Sequence, residues 1–139
     1  MKKGFRIIDH TADVGMAVRG GNLGEILSNA AVALFSLITD LDQVAEESRL
    51  DVEVKADDST SLLVDWLNEL VYLFDTRHVL LCRFEMLKVT ERELEAACYG
   101  EAFDPSKHKL MREIKAATYH MLTLERHGGA LEARVILDI

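Results

Sequence analysis

Carboxylates at two distant points of the chain are the residues best suited to chemistry. Asp9-His10-Thr11-Ala12-Asp13-Val14-Gly15 lies near the start, and Ile136-Leu137-Asp138-Ile139 stands at the end. Few cations neighbour either stretch, and the ending adds the main-chain carboxylate of Ile139 to the side chain of Asp138. A fold that brought the two together would create a compact set of hard oxygen donors, which suits Ca2+ or Mg2+ better than Zn2+. Asp9 and Asp13 have a plainer reading as turn residues, because Asp side chains bond readily to nearby backbone amides. The five histidines, His10, His78, His108, His120 and His127, show no local pairing with zinc-ligand spacing and read singly as hydrogen-bonding or surface residues.

The common catalytic signatures are missing. There is no G-x-x-x-x-G-K-[ST] loop, G-x-G-x-x-G turn, G-x-S-x-G elbow or H-E-x-x-H helix. Nothing therefore argues for covalent or nucleotide-hydrolysing catalysis. A net charge of −8 argues against a broad phosphate-binding surface. An acidic chain near RNA would sooner touch a basic protein than the RNA itself, although the same charge also serves solubility. Cys82 and Cys98 form no C-x-x-C pair and read as small buried hydrophobes in a reducing compartment. Met1-Lys2-Lys3 is not followed by an apolar signal region, and no run approaches the roughly 20 apolar residues of a membrane span. A cytoplasmic protein is expected.

The elements that must position these residues follow from periodicity. With 139 residues, 49% apolar and 29% charged, the chain suits one domain, 1–139, able to bury a single core. Residues 5–9 and 14–19 read as two strands, with Val14, Met16 and Val18 on one face. Asn22 followed by Glu25 signals a helix start, and Leu23, Ile26, Leu27, Ala30, Leu34, Leu37 and Ile38 recur at helical spacing. Leu50, Val52, Val54 and Ala56 alternate with Asp51, Glu53 and Lys55, predicting a strand with one wet face. Asp57-Asp58-Ser59 caps a second helix with a stripe of Leu63, Trp66, Leu67, Leu70 and Phe74. Trp66 and Tyr72 are expected in the core. Residues 79–90 and 93–100 predict a hairpin in which Phe84 and Met86 face inward with Leu94, Ala96 and Cys98. Residues 101–114, holding the lone Pro105, predict an irregular connection of a length more often functional than accidental. Residues 115–125 and 131–139 predict a last hairpin around Gly128-Gly129.

This order predicts an α+β two-layer sandwich: one mixed or mostly antiparallel sheet of about seven strands with two helices packed on one face. Parity in the last strand sets Leu131, Ala133, Val135, Leu137 and Ile139 against Glu132, Arg134, Ile136 and Asp138, so Asp138 should point away from the core. In the strand before it, Lys115, Ala117, Tyr119 and Thr123 form one set, and Ala116, Thr118, His120, Leu122 and Leu124 the other.

Five blocks, in order, carry a family resemblance. They are Asp9-His10-Thr11-Ala12-Asp13-Val14-Gly15, Trp66-Leu67-Asn68-Glu69-Leu70, Gly100-Glu101…Lys107-His108, Ile114-Lys115-Ala116-Ala117-Thr118-Tyr119-His120 and Leu137-Asp138-Ile139. Together the chain resembles the archease family from residue 9 to its end, the first and fourth blocks being distinctive. Ala117 departs from the pattern, where a larger β-branched residue is common. The resemblance implies an acidic cofactor protein of RtcB-type RNA ligases, not an enzyme itself. Such a protein promotes GTP-dependent guanylylation of the ligase's active-site histidine and keeps the ligase turning over in tRNA splicing and RNA repair. Contact with RNA is then indirect. The resemblance also implies metal ligands at Asp13, Asp138 and Ile139. Ca2+ is the first choice, with Mg2+ or Mn2+ as alternatives, and Lys115 is required for ligase activation. The family has Asp or Glu at the position of Asp9, whose ligand role stays open, as does the choice between terminal carboxylate and backbone carbonyl at Ile139. Two other readings make different demands. A chaperone or specificity modulator of a tRNA methyltransferase needs no GTP, and a small metal-dependent phosphohydrolase turns over substrate unaided.

Overall fold

The computed structural model describes residues 4–9 and 13–139, with the backbone alone at Asp9. The elements in chain order are β1 (Phe5–Asp9), β2 (Asp13–Gly20), α1 (Leu23–Ile38), β3 (Ser48–Lys55), α2 (Ser59–Arg77), β4 (Val79–Val89), β5 (Glu93–Ala102), β6 (Ala116–His127) and β7 (Ala130–Asp138). A single 3-10 turn, Leu41–Gln43, follows α1.

Every strand pair is antiparallel. The expected α+β class, strand number and pair of helices hold. The strands divide into a four-stranded sheet of order β1-β2-β7-β6 and a three-stranded sheet of order β3-β5-β4, where one sheet was expected. The chain crosses between the sheets twice, from β2 to β3 by way of α1 and from β5 to β6 through residues 103–115. The first and last parts of the chain meet inside the larger sheet, where β2 pairs with β7 along its whole length.

Both helices start as their caps predict. The Asn22 side chain accepts the Glu25 N–H, and Glu25 reaches back to the Gly21 N–H, each at 2.9 Å. Asp58 accepts the Ser61 N–H at 2.8 Å. The burial on α1 is wider than one stripe: Ala31, Ala33 and Phe35 are buried as well as the expected residues from Ile26 onward, while Leu23 is half-buried. The cause is that α1 packs against β2 of one sheet and β4 of the other, while α2 packs against β6 and β3. Trp66 is buried as expected, its indole N–H donating to the Leu27 carbonyl at 2.9 Å and tying the helices together. Tyr72 corrects the expectation, being 59% exposed between the buried neighbours Val71 and Leu73. Cys98 is buried and Cys82 half-buried. Among the described residues no helix is long and apolar enough to cross a membrane.

The predicted parity of β7 is observed: Ala133, Val135 and Leu137 are buried, whereas Arg134 and Asp138 are exposed. β6 breaks its predicted alternation. Thr118 pairs with Ile136 and Thr123 with Arg134, so five positions of β6 span two of β7. The insertion of an odd number of residues inverts the parity beyond it. Thr118 and Thr123 thus share the outer face, and Leu124, opposite buried Ala133, turns inward with Ala117.

Candidate metal centre

Two of the expected ligands meet by strand register. Asp13 lies directly opposite Asp138 in the β2–β7 ladder, and the next pair, Val14 and Leu137, is fully buried. Side chains of opposed residues share a face, so the two carboxylates project together from the side of the sheet away from the core. This register is set by apolar burial: slipping β7 by one residue would turn Ala133, Val135 and Leu137 out to water. Asp138 is exposed, while Asp13 is half-buried with its Oδ1 atom inaccessible to solvent. Across the next strand Ala116 pairs with Asp138, and the Lys115 N–H donates to the Asp138 carbonyl at 2.8 Å. The Lys115 side chain is exposed. Ile139 is half-buried against the core. Asp9 pairs with Val14 through its backbone, but its side chain and residues His10, Thr11 and Ala12 lie outside the described residues.

This donor set fits a hard divalent cation. Two carboxylates side by side offer only oxygen, and like charges directly opposite repel unless a counter-charge lies between them. Asp13 and Asp138 would hold the ion, which when bound would supply a concentrated positive centre beside exposed Lys115. A cleft of about 480 Å³ adjoins Asp13, lined also by Ile8, Gly15, His120, Met121 and Ile136.

Two supports involve residues of the resemblance blocks to which the sequence reading gave no structural role. Asn68 on α2 takes both backbone groups of Ala117: its Nδ2 donates to the carbonyl at 3.1 Å and its Oδ1 accepts the N–H at 2.8 Å. β6 is a sheet edge, so this amide satisfies groups that no strand reaches and holds the strand's start near Asp138. A polar residue following buried Trp66 and Leu67 was the available signal. The second support is a clasp on the connection. Glu101 Oε2 accepts from Lys107 Nζ at 2.7 Å, the Ala45 N–H at 2.8 Å and His108 Nε2 at 2.9 Å. His108 is buried, and its Nδ1 accepts the Asp104 N–H at 3.0 Å, which leaves the ring proton on Nε2. The Lys107 ammonium, followed by the Ala45 amide, holds the Glu101 carboxyl well below the usual carboxylate range, against the opposing effect of burial. Further along, the Thr39 hydroxyl donates to the Lys109 carbonyl at 2.7 Å and the Met111 N–H to the Ile38 carbonyl at 2.8 Å. The connection predicted as irregular is thus pinned at several points before it delivers Lys115.

Among the described residues, one group of three carboxylates converges within 4.8 Å: Glu53, Glu93 and Glu95, on the other sheet. Glu93 is already paired with Lys88 at 2.9 Å and Lys55 at 3.8 Å, so local cations offset much of that charge. Burial pushes the Cys98 thiol up to about 12, as befits a structural cysteine.

Fold and site together define a small α+β protein in which strands from the two ends of the chain build one carboxylate-bearing face. The family model described as Archease protein family (MTH1598/TM1083) matches residues 5–139. The chain belongs to the archease family. It is similar to protein archease of Methanosarcina mazei, at 38% identity over 99% of this chain and 97% of that one. It is likewise similar to protein archease of Methanothermobacter thermautotrophicus, at 40% identity over 99% of each. The solution structure of Methanobacterium thermoautotrophicum protein 1598 superposes with a TM-score of 0.86 at 37% identity, covering 99% of this chain and 100% of that one. The crystal structure described as an archease, possible chaperone, from Thermotoga maritima shares the fold with a TM-score of 0.68 at 24% identity, covering 95% of this chain and 94% of that one.

Proposed function

We propose that this protein is a cytoplasmic, metal-binding accessory factor that activates an RtcB-type RNA ligase by promoting its GTP-dependent guanylylation. The observation that carries the reading is the opposition of Asp13 and Asp138, with Lys115 bonded through its backbone to Asp138. Membership of the archease family supports the choice of partner. Asp13, Asp138 and Ile139 hold a divalent cation, Ca2+ first among the candidates. The exposed Lys115 ammonium faces the partner, where positive charge favours nucleotidyl transfer by steadying phosphate oxygens. The protein forms no RNA bond of its own and touches RNA only through the ligase.

A multiple-turnover RNA ligation assay with the cognate ligase and GTP tests this. Added protein should convert a single-turnover ligase into a cycling one, and Asp13→Ala or Asp138→Ala should lose that effect while remaining folded. Full stimulation by both variants would sink the mechanism. A role as chaperone or specificity modulator of a tRNA methyltransferase is the second reading. It predicts instead a change in that enzyme's aggregation or site choice without GTP.

A further inference from the structure

Lys115 is carried by a short piece of sheet. Ala116, Ala117 and Thr118 pair with Asp138, Leu137 and Ile136 of β7, and the ladder then stops until Thr123. Residues 119–122 leave the ladder, so the longer part of β6 does not hold this start in register. The Thr118 hydroxyl closes one end of the short stretch by donating to the Ile136 carbonyl at 2.9 Å. Lys115 stands just outside the other end, its N–H bonded to the Asp138 carbonyl. Ile114 is buried beside it, which anchors the chain without giving it a direction. The outer edge of the stretch faces no strand, because β6 ends the sheet. Asn68 takes that place, one amide bonding both the N–H and the carbonyl of Ala117. The helix that carries it is locked: Trp66, Leu67 and Leu70 are fully buried, and the Trp66 indole is bonded to the Leu27 carbonyl of α1.

We propose that Asn68 is a positioning residue for Lys115: through this one amide, α2 fixes where the lysine stands relative to the Asp13–Asp138 pair. This rests on the ligase reading above and adds the residue that sets the geometry of its lysine. The two carboxylates do not need Asn68. They are held by the β2–β7 ladder, which runs for eight pairs from Asp13 with Asp138 to Gly20 with Leu131. Metal binding therefore belongs to the central ladder and the placement of Lys115 to the Asn68 amide. Two directional bonds to one residue fix both the position and the rotation of the strand, which apolar contact alone does not. Small displacements matter for a charge that must meet phosphate oxygens, since a misplacement of about 1 Å costs on the order of a hundredfold in rate.

The test compares wild type, Asn68→Ala, Asn68→Asp and Val54→Ala, a core truncation in the smaller sheet that lowers stability away from the site. Asn68→Asp keeps an acceptor for the Ala117 N–H and sets an anion against its carbonyl. Each chain is measured for thermal unfolding, Ca2+ binding by calorimetry, amide exchange, and stimulation of the purified cognate ligase over a range of concentrations. Both Asn68 variants should lower maximal stimulation about tenfold or more, with the half-saturating concentration and the Ca2+ affinity within about twofold of wild type. Exchange should quicken at the Lys115 amide and stay unchanged at Thr123 and Leu124, beyond the insertion. Val54→Ala should stimulate as wild type does. Full maximal stimulation by a folded Asn68 variant overturns the proposal, and so does an equal loss in Val54→Ala, which would make the effect one of stability. If neither Asn68 variant folds, the wild type decides: slow exchange of the Asn68 side-chain amide and of the Lys115 N–H supports the proposal, and fast exchange of either overturns it. A wild-type chain that does not stimulate the ligase overturns the ligase reading itself, and Asn68 then stands or falls on exchange at Lys115.

Discussion

Asp13 and Asp138 stand directly opposite each other across the β2–β7 ladder, on the outer face of the four-stranded sheet. The core face of the same ladder, Val14 with Leu137 and Met16 with Val135, is fully buried. Apolar burial therefore holds the two carboxylates together despite their repulsion, and the energy of the fold maintains a site that the charges alone would pull apart.

That opposition makes unfolding temperature a direct readout of metal binding. Ca2+ should stabilise the wild type by about 2.7 kcal/mol at a hundredfold excess over its Kd, and EDTA should reverse the effect. Asp13→Asn and Asp138→Asn should lose the response, and each should be no less stable than wild type in low-salt, metal-free buffer. Equal Ca2+ responses in all three proteins would remove the pair as a metal site.

Lys115 is exposed, and its structural contact uses the backbone N–H. Lys115→Ala should leave stability within about 0.5 kcal/mol of wild type, as expected for a surface change. Ligase stimulation should nevertheless fall to the unassisted level in a multiple-turnover assay. Undiminished stimulation would exclude the ammonium from the mechanism.

Asn68 takes both backbone groups of Ala117 on the open edge of β6. Asn68→Ala leaves a partly buried N–H and carbonyl without these partners and should cost about 1–3 kcal/mol in urea denaturation. Faster amide exchange at Ala117 should accompany the loss, because the start of β6 would be released from α2. Unchanged exchange there would show that pairing with β7 suffices.

Gly100 lies on β5, the middle strand of the smaller sheet, and a Cβ at this position would run into the Leu80 carbonyl oxygen of β4. Because the obstacle is backbone, no side-chain rotation relieves it, and Gly100→Ala should destabilise by about 3 kcal/mol. Gly129→Ala makes the control, since a Cβ there meets nothing within 4 Å. Similar unfolding midpoints for the two variants would contradict the close approach of β4 to β5.

The Glu101 clasp predicts an acid limb of stability. Its folded carboxyl titrates below the ordinary value of 4.5, chiefly because of Lys107, so the unfolded chain binds the proton first. The stabilisation is complete above the ordinary carboxylate range and is lost as pH falls through it toward the folded value. Glu101→Gln should be less stable than wild type at neutral pH, and the difference should shrink on acidification. Thermal unfolding across that range measures it, and a constant difference would show that the charge of Glu101 is not what the clasp uses.

Much of the framework was readable one segment at a time. Asn22 and Asp58 cap their helices with their own side chains, and the alternation of Leu131 to Asp138 sends Asp138 outward, because caps and pleats depend on residues two to four apart. Tyr72 was misplaced because its exposure depends on how α2 is seated between the sheets. The β6 insertion was invisible for a related reason: residues 119–122 leave the ladder only relative to Ile136 and Arg134, on another strand. The same applies to the site. Periodicity could orient Asp13 and Asp138 each on its own strand, and family resemblance could nominate them with Lys115. Only the pairing of β2 with β7, and of β6 beyond it, sets them side by side, because register across distant segments is chosen by which apolar faces can be buried together.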